Sequence, residues 1–337
     1  MDRRIVSAGV LLASLMVAMP ALAQDLVWTS DRPDGHAPAG VKADFTLPAG
    51  GIYVGFRYSQ EKFRGSLIGT AEITSAEVLD FFSVATLTHD HSMSELDIRF
   101  GLTNFVTLEG SMAFIQNNAL KETSGGFFET SSDVLGDVSV RALIDLLEMD
   151  SYRVILTLGA TVPTGKIGKM GPTATSNRAV LPYPMQGGSG TPDILIGGTF
   201  QVQNDIASVG AQFNSVIRFM DNPWDYRLGN RYDFTVWGAY NFSDWVSFSM
   251  RGFFEHWGPI TGADPRTDGA VDPLANPFAQ GGERVVLPFG FNIYFREGSV
   301  AGNRLSVEFY YPIHEDLNGP QMSIERSLVI SWQSLVF

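Results

Sequence analysis

Charged and apolar side chains alternate one by one in several stretches of this chain. In the stretch from residue 95 to residue 100, the charged residues Glu95, Asp97 and Arg99 alternate strictly with the apolar residues Leu96, Ile98 and Phe100. Successive side chains of a β-strand point to opposite faces, so the three charges would share one face and the apolar groups the other. Ionised groups on one face can neutralise one another in ion pairs, or they can line a passage that selects among charged solutes.

The same alternation predicts a larger set of charged residues that face away from the apolar ones. The fifteen members of this set are Arg57, Glu95, Asp97, Arg99, Glu109, Asp137, Arg141, Asp145, Arg153, Asp193, Arg218, Asp233, Arg251, Glu255 and Glu308. A charge that faced lipid at mid-depth would cost about 2–4 kcal/mol, so this segregation predicts an apolar exterior and a wet interior. We predict that these residues line a lumen, either as a lattice of structural ion pairs or as a selectivity ring.

Two motifs resemble catalytic or nucleotide sites but have the wrong spacing. Gly159 to Lys166 looks like a phosphate-binding loop, yet five residues separate its glycines where four are needed, and Ile167 replaces the Ser or Thr. Ser189, in a Gly-Gly-Ser-Gly run, lacks the spacing of a nucleophile elbow. We predict no catalytic residues and no cofactor from these motifs.

Two further groups of residues carry metal-ligand chemistry without the pattern of a site. His89-Asp90-His91 could bind a metal or exchange protons, but no further ligand pattern accompanies it. The acidic loop with Asp264, Asp268 and Asp272 does not have EF-hand spacing, which favours a solvated loop over a calcium site. We therefore predict no metal site.

The elements that would position the charged set are short strands joined by turns. We predict twelve, at 51–61, 88–102, 105–117, 134–146, 152–163, 191–203, 206–218, 229–241, 244–257, 284–296, 303–313 and 322–337. Short connections alternate with long ones, such as 118–133 and 314–321, as periplasmic turns and outer loops do in membrane barrels. Ser75 to Leu87 fits a strand or a short helix, and we place it in the first outer loop. The predicted fold class is all-β, a transmembrane antiparallel up-and-down β-barrel of about twelve strands.

The N-terminus has the pattern of a secretion signal, and we predict that residues 1–23 are a signal peptide. Arg3 and Arg4 precede an apolar run that ends in Ala21-Leu22-Ala23, a small-x-small cleavage site. The run is too short for a membrane anchor, which is the alternative. Residues 24–50 are rich in Pro and Gly and are predicted to be irregular: a disordered leader, a periplasmic extension or a plug in the lumen. The barrel would span 51–337.

Charge and composition limit the classes of molecule that the protein could bind. The formal net charge is −13, which argues against nucleic acid, because phosphate binding needs a basic patch. The chain has no Cys and therefore no disulfide framework. An amphipathic last strand that ends in Phe337 resembles the signal read by the barrel-assembly machinery. We predict a bacterial outer-membrane location, with outer-membrane lipids and lipopolysaccharide as partners.

Several segments resemble an outer-membrane family named for the MetA pathway of phenol degradation, also called "transporter" proteins. The segments that carry the resemblance are Gly101 to Leu108, Gly136 to Ala142, Leu158 to Gly165, Gly188 to Asp193, Asp34 to Val41 and Tyr226 to Asn230. The resemblance implies a porin-like channel for small, aromatic or hydrophobic solutes, without catalytic residues. A subgroup has an N-terminal segment rich in His and Met, but here only His36 is kept.

Three functions follow as hypotheses. The first is a channel or transporter for a small solute that the sequence does not identify. The second is an enzyme that acts on lipid, as some twelve-stranded outer-membrane enzymes do with a Ser–His pair on the outer wall; His256 with Ser247 or Ser249 is the pair to examine. The third is a structural barrel whose outer loops bind a partner.

Overall fold

A computed structural model describes residues 28–149 and 151–336. The predicted signal peptide and Phe337 lie outside these residues. No helix in this part of the chain is long and apolar enough to cross a bilayer.

Strands dominate the described residues. Their bounds are β1 Ile52–Gly69, β2 Ala71–Ile73, β3 Ala85–Gly101, β4 Val106–Thr123, β5 Gly126–Leu135, β6 Val138–Met149, β7 Tyr152–Val162, β8 Met170–Gly171, β9 Ala179–Val180, β10 Ile194–Gln203, β11 Ala207–Ile217, β12 Tyr226–Arg227, β13 Arg231–Asn241, β14 Val246–Trp257, β15 Thr261–Gly262, β16 Gly282–Tyr294 and β17 Arg304–Leu335. The helical elements are α1 Ser75–Leu79 and the 3-10 turns Tyr183–Met185, Pro273–Ala275 and Pro277–Ala279.

Eleven strands form a closed antiparallel ring, which confirms the predicted fold class. Their order is β1, β3, β4, β6, β7, β10, β11, β13, β14, β16 and β17, and β17 closes the ring by pairing with β1. Two more strands extend the sheet outside the ring, where β2 pairs with β1 and β5 with β4. Closure leaves no open edge within the hydrocarbon, where an unpaired backbone group would cost several kcal/mol.

The last strand crosses the barrel wall twice. A straight strand of its 32 residues would be about 105 Å long, far more than the roughly 30 Å of a hydrocarbon core. Gly282 of β16 and Gly69 of β1 both pair with Leu317, and pairing runs from there towards Arg304 on one side and Leu335 on the other. The chain therefore reverses just after Leu317, and the ring has twelve passes.

Two predicted connections differ from the structure, and a third segment with two predicted alternatives is resolved by it. Residues 118–133, predicted as a loop, form the outer ends of β4 and β5 with a tight turn at Ser124-Gly125. Residues 314–321, also predicted as a loop, lie within β17. Both stretches lie towards the long-loop end, where both faces of a strand can be wet and apolar alternation is not required. Ser75 to Leu87 contains α1, whose Thr74–Glu77 capping box fixes its start, so the helix alternative was the correct one.

The alternation places apolar side chains on the outside of the wall. Phe56, Ile98, Met250 and Phe289 are exposed, as expected for groups that face lipid. Val236, which shares the parity of exposed neighbours, is an exception at 9% exposure. The exterior is therefore an apolar belt, and the polar face of each strand is turned inward.

A charge on this belt should destabilise the barrel. Phe289, midway along β16, is 42% exposed on the outer face. We expect Phe289→Arg to lower the free energy of unfolding by about 2–4 kcal/mol, measured by urea unfolding in lipid vesicles. Phe81→Arg, in an outer connection where the side chain is 78% exposed, is the control and should have little effect. Equal losses in the two variants would contradict the lipid-facing assignment.

Candidate functional site

Residues 28–50, here called the N-terminal segment, lie against the inner wall of the barrel. The Thr29 N–H donates to Gln203 Oε1 at 2.9 Å, and the Ala49 N–H donates to Asn104 Oδ1 at 3.0 Å. Gln203 and Asn104 belong to the end of the barrel that carries the short turns. The segment therefore begins and ends at the same, periplasmic end.

The middle of the segment reaches well into the lumen. The Gly40 N–H donates to Glu308 Oε2 at 2.6 Å. Arg57 donates through Nε to the Ala39 carbonyl at 2.7 Å and through Nη2 to the Val41 carbonyl at 3.1 Å. A Cβ added to Gly40 would lie only 2.0 Å from the ends of the Arg251 and Tyr310 side chains, so the backbone approaches the wall closely here and a larger residue would require a shift.

Wall side chains from nine of the eleven ring strands hydrogen-bond or ion-pair with the segment. They are Arg57, Glu95, Arg99, Thr107, Asp145, Gln201, Gln203, Ser208, Gln212, Asn241, Tyr294, Arg304, Glu308 and Gln333. Because these strands surround the lumen, the segment lies across the bore and not along one side of it.

Apolar contacts add to these hydrogen bonds. Six apolar residues of the segment are buried: Ala37, Ala39, Val41, Ala43, Phe45 and Leu47. All of them except Ala39 pack on inward-facing wall residues that interrupt the polar parity, namely Tyr53, Leu143, Ile155 and Trp237. The sequence analysis missed these four residues. Their apolar character at positions where the alternation requires a polar group was the signal that could have found them.

The fifteen charged residues predicted to line the lumen are all shielded from solvent to some degree. Arg57, Glu95, Asp97, Arg99, Glu109, Asp193, Arg251, Glu255 and Glu308 are buried. Asp137, Arg141, Asp145, Arg153, Arg218 and Asp233 are half-buried.

Arg99 is the centre of the largest ionic cluster. Its Nε lies 2.7 Å from Glu109 Oε2, and two further carboxylates, Asp44 and Asp97, lie 3.7 Å from its guanidinium. The same guanidinium stacks over the Phe45 ring, 4.2 Å from its centroid. Arg99 therefore joins two wall strands to the N-terminal segment.

Glu95 and Glu109 each bridge two cations. Glu95 Oε2 lies 3.3 Å from Arg57 Nη1 and 2.6 Å from Lys42 Nζ, which belongs to the N-terminal segment. Glu109, already paired with Arg99, also accepts from Arg141 Nη1 at 2.6 Å. Glu95 is thus shared between the wall and the segment, whereas both partners of Glu109 belong to the wall.

A second set of ion pairs lies on the opposite side of the lumen. Arg251 pairs with Glu308 at 2.9 Å. Closer to the outer mouth, Arg284 lies 3.6 Å from Glu255 and 2.7 Å from Glu315, which belong to the two neighbouring strands. Arg284 and Glu315 were not predicted, because they lie where the predicted strands begin or end.

Some members of the predicted set lie at the two ends of the barrel. Arg218 pairs with Asp193 at 3.0 Å beside the long loops. Asp137 accepts from the Gly165 and Ser189 N–H groups at 2.8 Å each, and so fastens a loop. The remaining three pair as follows: Asp145 with Thr46, Arg153 with Glu148, and Asp233 with Arg231.

His36 is buried inside the lumen. Its Nδ1 lies 2.8 Å from Gln333 Oε1, and its ring stacks on Phe45 with 4.0 Å between centroids. Burial lowers the pKa of His36 well below 6.5, and the charge of Arg304 lowers it further. The imidazole is therefore neutral at pH 7.

The structure contradicts the proposed Ser–His pair. Ser247 and Ser249 are fully buried on the inner face, where both accept from Asn292 Nδ2 at 3.1 and 3.2 Å. His256 lies on the other parity and is exposed, with Glu283 Oε2 3.9 Å from its Nδ1. The hydroxyls and the imidazole are therefore on opposite faces of the wall.

Among the other residues considered as metal ligands, two histidines and two aspartates bond to neighbouring side chains of the protein. His89 and His91 both bond to Asn117 Oδ1, at 3.1 and 2.8 Å. Asp272 pairs with buried Lys121 at 2.5 Å and Asp264 with Arg266 at 2.6 Å. Within the described ranges, no group of three or more His, Asp or Glu side chains could hold a metal ion.

Removing the central guanidinium should be costly. Arg99→Met would leave Glu109 and its neighbours as buried charges without their main partner, and we expect a loss of about 3–5 kcal/mol in unfolding free energy. Arg296→Met is the matched control, because its side chain is 52% exposed at a short turn and should change stability by about 1 kcal/mol or less. Urea unfolding in vesicles measures both. A small loss for Arg99→Met would contradict the central role of this residue.

Comparisons with known proteins show the fold. No protein-family model and no curated protein matches the chain. An outer-membrane channel from Pseudomonas putida F1 is similar at 14% identity and a TM-score of 0.58, over 86% of this chain and 97% of that one. The toluene transporter TodX of P. putida reaches a TM-score of 0.44 at 9% identity, over 92% and 98%. The first of these similarities shows the fold of an outer-membrane β-barrel, and the chain's own apolar belt places it in the bacterial outer membrane.

Proposed function

We propose that this protein is an outer-membrane channel for small solutes, and that the N-terminal segment closes it. The observation that carries the proposal is the hydrogen bonding of one segment to nine strands around the lumen. A twelve-pass barrel is narrower than the sixteen-stranded porins, so a single extended chain across its bore obstructs it. Passage then requires the segment to move.

The contacts of the segment are suited to reversible docking. It contributes no strand to the ring, so it can leave without breaking any ladder of the barrel. Most of its bonds join backbone groups to polar wall side chains, and water in an open lumen would solvate both partners. Three of its six buried apolar residues are alanines, which contribute little apolar area.

The cleared lumen would combine ionic pairs with apolar surfaces. Departure of the segment would uncover Tyr53, Leu143, Ile155 and Trp237, which otherwise pack on it. These apolar surfaces can contact small solutes that have an apolar or aromatic part, which is the class of solute that the family resemblance implies. We assign the paired charges a structural role. We assign the protein no catalytic role, because the hydroxyls and the imidazole of the Ser–His alternative lie on opposite faces of the wall.

Displacing the segment should open the channel. Gly40→Val would clash with the ends of the Arg251 and Tyr310 side chains, which lie 2.0 Å from the site of an added Cβ. The middle of the segment or these two side chains must then shift, and deletion of the segment removes this ambiguity. We expect this variant, and a deletion of residues 29–47, to raise single-channel conductance in planar bilayers severalfold. Benzoate entry into liposomes should rise as well, more than entry of cyclohexanecarboxylate if an aromatic ring is preferred.

Gly110→Val is the matched control, because an added Cβ there meets no atom within 4 Å. Its conductance should equal that of the unaltered protein. Circular dichroism and heat-dependent gel mobility verify that each variant still forms the barrel. Folded variants with unchanged conductance would refute the closing role of the segment, and a folded deletion variant that conducts no ions would refute the channel.

Acid should favour the open state. The pKa of His36 is depressed in the docked segment and is about 6.5 when the segment is free in water. Docking is therefore fully favoured above pH 6.5 and weakens as the pH falls below it, by about 1.4 kcal/mol per unit. We expect conductance to rise between pH 7 and 5. His36→Gln cannot be protonated and should remove most of this rise; an identical pH profile in that variant would exclude His36 as its source.

A further inference from the structure

Two like charges lie directly opposite each other on the outside of the barrel. Lys62 of β1 and Arg326 of β17 are cross-strand partners at the seam that closes the ring. Opposed residues on one face have Cβ atoms about 4.5–5.5 Å apart, and like charges in this arrangement destabilise a sheet. A local conflict of this kind in an otherwise consistent wall suggests a function.

Both side chains face outward. Phe63 stacks on His89 at 5.5 Å between centroids and lies 6.0 Å below the Arg284 guanidinium of the lumen, so it points inward. Its neighbours Lys62 and Arg64 must therefore point outward. The Arg326 side chain is 69% exposed.

The wall compensates these three cations only in part. Asp90 of β3 lies directly opposite Lys62, on the side away from Arg326, so two carboxylates, Asp90 and Glu325, face three cations. Within residues 28–149 and 151–336, Lys62 forms no ion pair, and the carboxylate nearest to Arg326 is that of Glu325, at 3.9 Å. Arg64 pairs with Asp90 at 2.9 Å but keeps a third of its side chain exposed. Every other described Lys or Arg of the ring strands faces the lumen, so the only outward cations of this wall are gathered at one seam.

The depth of this cluster matches a lipid headgroup. Lys62 lies ten residues beyond Ile52, where β1 begins; this distance is about 33 Å along the strand and about 25 Å along the membrane normal at the usual tilt. That is the height of an apolar belt. Below the cations on the same outer face, Gln60 pairs with Leu328, then Tyr58 with Ile330 and Phe56 with Trp332.

We propose that Lys62, Arg64 and Arg326 bind the phosphate groups of lipid A, the lipid part of lipopolysaccharide in the outer leaflet. A phosphate between Lys62 and Arg326 would turn their repulsion into two charge-assisted contacts, and the Arg guanidinium can bind it in a bidentate manner. The acyl chains of the same lipid would lie on the apolar column below. This site is independent of the channel proposal, because it needs only the membrane location of the barrel.

The test compares lipid A with its dephosphorylated form. The full-length protein in lipid-free detergent micelles is titrated with each, and binding is followed by native mass spectrometry. We expect Lys62→Gln/Arg326→Gln to weaken binding of lipid A by about 30-fold, from roughly 1 kcal/mol for each cation. Without lipid A, this variant should be as stable as the unaltered protein or more so, because the repulsion is gone.

Arg227→Gln/Arg296→Gln is the matched control, since it removes two partly exposed cations from connections outside the wall. It should bind lipid A as the unaltered protein does. Unchanged lipid A binding by the seam variant would overturn the proposal. So would equal binding of the phosphorylated and dephosphorylated lipids by the unaltered protein, or a lipid-free seam variant that is less stable than the unaltered protein.

Discussion

The absence of hydrogen-bonding partners in hydrocarbon determines this structure. Every backbone N–H and C=O at membrane depth must be bonded within the protein, and strands achieve this only when the sheet closes. Closure between β1 and β17 gives the wall an inside and an outside. The alternation of side chains then sorts most apolar groups outward and most ionised groups inward, apart from the inward apolar residues that pack on the N-terminal segment.

An inward wall of ionised groups must also neutralise its charges. Arg99, Glu109, Arg251 and Glu308 are almost fully buried, and each has an opposite charge within 3 Å. Breaking one such pair is far more costly than breaking a surface pair, because the remaining partner stays buried. The N-terminal segment takes part in this balance through Lys42 and Asp44, which ion-pair with wall residues. Segment and wall therefore form one electrostatic unit.

The sequence was informative where lipid imposes a rule and less so where water removes it. All twelve passes were predicted, because a misplaced charge such as one at Ile98 or Phe289 is expensive. The outer ends of β4 and β5 were predicted as a loop, since wet strands need no apolar face. The contacts of residues 28–50 could not be derived locally. Their composition indicates irregular structure, and the groups that order them, such as Gln212 and Gln333, come from strands far away in the chain.

The shared entrance and exit of the N-terminal segment have a topological consequence. Thr29 and Ala49 are both bonded at the periplasmic end, and the chain between them folds into the bore as a loop. Because both ends of this loop lie at the same end of the barrel, the segment enters the bore without passing through to the other side. The barrel can finish its insertion and seal its seam first, and the loop can enter afterwards from the periplasm. The same route remains available in reverse, so that a periplasmic factor could withdraw the loop without unfolding a single strand.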